Sequence, residues 1–170
     1  MTRYLEKGLI AVCSVLILTM IVLMNVEVFS RYLLGISIRV AEEYSGYLFC
    51  AATMLGFYPA VMRGRFLRIA SMLSFLGNRT RAVWEVAIAI LSSVFCLLLA
   101  WQTWGLFTMS HRFGSTSLEY SGTPLMYPQF VLPLGLSLLA VGILLRAAVV
   151  ARAIFRGSPQ ALEDENNVLD

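Results

Sequence analysis

Apolar residues in this chain gather in long runs, with the charges pushed between them. Four blocks, 8–26, 44–62, 86–110 and 120–145, contain no Asp, Glu, Lys or Arg. Each reaches the roughly 18 consecutive apolar residues expected of a transmembrane helix. At about 1.5 Å per residue, the shortest nearly covers the ~30 Å hydrocarbon layer. Closed barrels would alternate polar and apolar positions, and these blocks do not. The pattern predicts an all-α integral membrane protein with four transmembrane helices, at about 8–34, 44–62, 86–110 and 125–145. Residues 1–157 would form one membrane domain, followed by an acidic, disordered tail at 158–170.

Local signals set the expected ends. Gly35 should break the first helix, and Glu42 and Glu43 should open the second, where acidic side chains suit the positive end of the helix dipole. These two glutamates read either as a solvated first turn or as a docking surface. Pro59 disrupts the last turn of span two, and Pro133 should kink span four unless that helix begins near Pro128.

Between spans two and three, Phe66, Ile69, Leu73 and Leu76 recur at helical spacing with Met62 and Met72 on the same side. Arg68, Ser71 and Ser74 fall on or toward the other side. An amphipathic helix over about 63–77, lying in the headgroup plane, is expected from this pattern. Arg63 and Arg65 fall in its first turn, with Arg65 near the apolar face, and Leu67 and Phe75 lie off that face.

Charge then orients the chain. Basic residues concentrate in cytoplasmic loops. Four spans put ten basic residues with the termini and the middle loop, against three, Arg31, Arg39 and Arg112, in the first and third loops. Both termini should be cytoplasmic. If Lys7 marks the inner headgroups, Glu27 lies about 30 Å further along the helix, at the outer edge of the hydrocarbon. Glu27 and Arg31, spaced i, i+4, share one face and can pair. They mark an exit from the membrane. Asn25 lies just inside it, where such a residue usually bonds to a neighbouring helix.

Composition agrees: 59% of residues are hydrophobic and 14% charged, against about 25% charged in soluble domains. The net charge of +3 more simply faces anionic lipid than nucleic acid, which is not an expected partner. Cys13, Cys50 and Cys96 lie in three different apolar blocks without a CxxC pair and read as small core residues. The first block is long for a signal peptide and lacks an A-x-A site, so it reads as an uncleaved span.

Motifs for chemistry are sparse. The sequence shows no GxGxxG, Walker loop or HExxH, and no cysteine set for zinc. A single histidine, His111, cannot supply paired haem ligands within this chain. Spans two, three and four hold no ionisable acid or base, whereas ion-coupled transporters place charges or broken helices near the midplane. No catalytic residue, cofactor or metal ligand is expected. The chain should support a site held by another protein. Two rivals are the membrane anchor of a respiratory enzyme, which would need haem ligands, and a small homo-oligomeric channel, which would need a polar stripe. Ser92, Ser93, Gln102 and Thr103 do not form one face.

The stretch "NVEVFSRYLLGISIRVAEEYSGYLFCAATMLGFYPAVMRGRFLRI", with "GTPLMYPQFVLPLGLSLL" further on, resembles the small membrane subunit, the DctQ type, of tripartite ATP-independent periplasmic (TRAP) transporters. The matching features are Asn25 before Arg31 and Tyr32, the acidic pair Glu42 and Glu43, Leu55 and Gly56, the turn at Arg63 and Gly64, and Pro128, Pro133 and Gly135. The likeness covers most of residues 20–145. Two departures stand out: Arg39, Val40 and Ala41 replace a common Trp before the acidic pair, and Phe66 and Ala70 replace a common His and Asp. The resemblance implies three kinds of partner. These are a large (M-type) transport subunit carrying substrate and Na⁺, a periplasmic substrate-binding protein delivering an organic acid, and membrane lipids. On that reading Asn25, Glu27, Arg31, Arg39, Glu42 and Glu43 serve partner contact or structure. Arg63, Arg65, Phe66, Arg68, Ile69, Leu73 and Leu76 would sit at the inner membrane surface.

Overall fold

A computed structural model describes residues 2–63, 78–119 and 121–155. Within them lie four long helices: α1 (Thr2–Phe29), α2 (Val40–Met62), α3 (Asn78–Phe113) and α4 (Met126–Phe155). Each contains a stretch long and apolar enough to cross a membrane. The helices outrun the charge-free blocks, most of all at the start of α3 and the end of α4. Nothing requires a helix to stop where the hydrocarbon does, because its hydrogen bonds are internal. The amphipathic segment expected at about 63–77 and the tail at 158–170 lie outside the described residues, apart from Arg63.

The first helix ends as a single π-helical turn, Ser30–Leu34. Gly35 then adopts the left-handed conformation at φ 67° and donates to the Ser30 carbonyl, closing the helix as expected of a glycine at this position. Five residues later α2 begins, with Glu42 and Glu43 in its first turn. Pro59 lies in the last turn of α2, so the span ends where its missing N–H predicts. Pro133 falls inside α4, which begins at Met126. That start is close to Pro128, where a missing N–H is harmless.

Packing follows the order α1, α2, α4, α3: α1 lies on α2, α2 on α4, and α4 on α3. The helices therefore form an open row with α1 and α3 at its edges. Small residues bring the axes together, as is common between membrane helices. Ala52, Cys96, Ala100, Ala140 and Ala147 are buried. Gly135 lets α4 meet the Met54 backbone, where a methyl group would lie 2.9 Å from the Met54 carbonyl oxygen. Buried Ser93 donates to the Ala140 carbonyl at 3.3 Å, joining α3 to α4. The large exception is Tyr58, fully buried beside Gly142.

Candidate functional site

The most polar assembly lies where α1 turns back into α2. Glu27 is 2% exposed, a rare state for a carboxylate unless it is paired. Its Oε1 accepts from Arg31 Nη2 at 2.6 Å, Arg31 Nε at 3.1 Å and Ser37 Oγ at 3.2 Å. Its Oε2 accepts from the Ile38 backbone N–H at 2.6 Å. Arg31 also reaches Glu42 Oε1 at 3.1 Å, so one guanidinium joins the end of α1 to the start of α2. The i, i+4 spacing placed Glu27 beside Arg31. Ser37 and Ile38 join because Gly35 reverses the chain and lays the connection across the carboxylate.

The neighbouring acid points the other way. Glu43 accepts from the Tyr47 hydroxyl at 2.6 Å and the Ser121 backbone N–H at 3.4 Å. Tyr44 and Thr123 share a hydrogen bond of 2.9 Å. Both contacts bind α2 to the connection between α3 and α4. That connection is itself ordered by an antiparallel pairing of Thr116 with Pro124 and by Ser117 donating to the Thr123 carbonyl at 2.9 Å. Between the two connections lies an open cleft of about 640 Å³ lined by Arg31, Ser37, Arg39, Glu42, Glu43 and Glu119. Five of the six lining residues carry charge, so the cleft suits a polar protein surface better than an apolar ligand.

Asn25 is not part of this assembly. It is exposed, and its amide donates to the Ile21 carbonyl of its own helix at 2.7 Å. The bond to a neighbouring helix expected of it is not made among the described residues. His111 stacks on Phe107, with ring centroids 6.3 Å apart, and its Nδ1 lies 3.4 Å from Met126 Sδ. Phe107 also touches Trp104 and Phe130. The histidine thus edges an aromatic cluster at the same end of the row.

The opposite end carries simpler ties. Arg63 pairs with Glu6 at 2.5 Å, joining α2 to α1. Arg146 donates to the Val61 and Met62 carbonyls at 2.9 and 3.5 Å, capping α2 from α4. This second role was invisible in the sequence, where Arg146 counts only among the ten basic residues on the side of the termini. Arg65, Phe66, Arg68, Ile69, Leu73 and Leu76 lie outside the described residues.

Against known protein families, the sequence model of the tripartite ATP-independent periplasmic transporters, DctQ component, matches residues 20–160. The chain belongs to this family. It is accordingly a multi-pass membrane protein and a small subunit of a TRAP transporter. The DctQ family is one of transporter components rather than enzymes, and the match gives no support to a respiratory anchor or a homo-oligomeric channel. No individual curated protein matches the chain.

Proposed function

We propose that this DctQ subunit braces a large membrane transport subunit that imports an organic acid with Na⁺, the acid being delivered by a periplasmic binding protein. The observation that carries this reading is the family match over residues 20–160, on a chain whose second, third and fourth apolar blocks contain no charged residue. Ion coupling needs ligands or titratable groups within the membrane. The large subunit supplies them, and this chain supplies packing surface.

In this arrangement the subunit lies in the bacterial inner membrane with both termini cytoplasmic, following the ten-to-three distribution of basic residues. The cleft between the two connections then faces the periplasm, where Arg39, Glu42 and Glu43 offer a charged surface to the binding protein. Glu27 and Arg31 hold that surface in shape. At the inner face, Arg63, Arg65 and Arg68 meet lipid headgroups while Phe66, Ile69, Leu73 and Leu76 enter the acyl boundary.

Affinity purification in a gentle detergent tests the reading. A tagged copy, expressed with a large transport subunit of the same transporter, should elute as a stable complex with that much larger protein. Recovery of a lone monomer or a homo-oligomer would contradict it.

A further inference from the structure

Helix α1 has two seams, and among the described residues only one is filled. Besides Ile10, α1 buries, wholly or partly, Glu6, Leu9, Cys13, Leu16, Met20, Leu23 and Glu27. They alternate spacings of three and four, as in a coiled coil, and they face α2. Their chemistry shows it: Cys13 Sγ contacts the Ala52 carbonyl at 3.4 Å, and Glu6 and Glu27 reach the two ends of α2 through Arg63 and Arg31.

A second set with the same spacing, Ala11, Ser14, Leu18, Ile21, Asn25 and Val28, is exposed throughout. By the helical period it lies on the far side of α1 from α2. As an edge of the row, α1 packs extensively on α2 alone among the described helices. The Ser14 hydroxyl is satisfied by the Ile10 carbonyl at 2.9 Å. Asn25 spends one amide N–H on the Ile21 carbonyl of its own helix, and its carbonyl oxygen has no partner among the described residues.

Lipid cannot supply that partner. The surface of α1 stays apolar on both sides of Asn25, with Leu18 and Val22 before it and Val28, Phe29 and Leu33 after it, all exposed. Hydrocarbon offers no hydrogen bond, and an amide left open to it is destabilising. A single Asn in an otherwise apolar seam fixes the register and choice of a partner helix.

We propose that the open seam of α1 docks a transmembrane helix of the large subunit, with a hydrogen-bonding side chain of that helix meeting Asn25. This assignment rests on the bracing role argued above. Ala11 and Ser14 let the two backbones approach closely at one end of the contact, and Asn25 sets the level at the other.

A photo-reactive side chain at Leu18 in the assembled transporter tests the assignment, with Leu91 on α3 as the control. The Leu18 probe should join covalently to the large subunit and the Leu91 probe should not. Labelling of lipid alone from Leu18, of a second copy of this chain, or equal labelling from both positions would overturn it. In parallel, Asn25→Val should weaken retention of the large subunit by about three- to twenty-fold, and Asn25→Gln should restore part of it. Undiminished retention in Asn25→Val would remove Asn25 from the contact. If the native chain co-purifies but Leu18 never labels the large subunit, the seam is wrong and the bracing role stands. If the native chain fails to co-purify, both fall.

Discussion

Glu27 receives four hydrogen bonds from three residues, and one of those residues is also bound to Glu42. A buried carboxylate so fully used organises everything around it, because each donor would otherwise need a new partner. Glu27→Gln keeps the shape, removes the charge that Arg31 faces and turns one acceptor into a donor. It should lower the thermal unfolding midpoint in detergent by several degrees, and Glu27→Ala should lower it further. Arg31→Lys should fall between them, since an ammonium lacks the fork that reaches two carboxylates together. Unchanged midpoints in all three would show that the assembly is ornamental to the fold. The Glu27–Arg31 pairing could be read from spacing alone. Ser37 and the Ile38 N–H could not, because they arrive through the path the chain takes after Gly35, which no side-chain pattern encodes. Asn25 shows the reverse case. Its type pointed to a contact between helices, yet only the structure shows that α2 packs on the opposite side of α1.

At the scale of helices, close approach governs stability. Gly135→Ala would bring a methyl group to 2.6 Å from Met54 Cβ, forcing α4 away from α2. Overpacking of this kind costs about 1–3 kcal/mol, measurable as a lowered midpoint of unfolding. Gly46, with open space around its Cα, supplies the control: Gly46→Ala should be neutral or slightly stabilising, since alanine is the better helix former. Arg146→Leu should remove the cap on α2 and cost about 1–2 kcal/mol without reversing the topology, because nine other basic residues share that side. Span positions were legible because charge is excluded from hydrocarbon. The packing order α1, α2, α4, α3 was not. Helices that are apolar on every side give no period from which to tell a protein-facing side from a lipid-facing one.

The four described helices form an open row, with bulky residues such as Leu91, Phe95, Leu98 and Trp101 exposed along α3 and the second seam exposed along α1. A row with two free edges buries less than a closed bundle, and a partner that binds only the folded chain should stabilise it by mass action. Co-expression with the large subunit should therefore raise the steady-state amount of this chain several-fold, as quantitative immunoblotting would show. Equal amounts with and without that partner would argue that the row is stable alone.

Sodium-driven uptake of a labelled organic acid into proteoliposomes bears most directly on the idea that this subunit braces a transport site it does not contain. Vesicles holding this chain alone should accumulate no label, whereas vesicles that also hold the large subunit, supplied with the loaded binding protein, should fill. Accumulation by the chain alone would contradict the account.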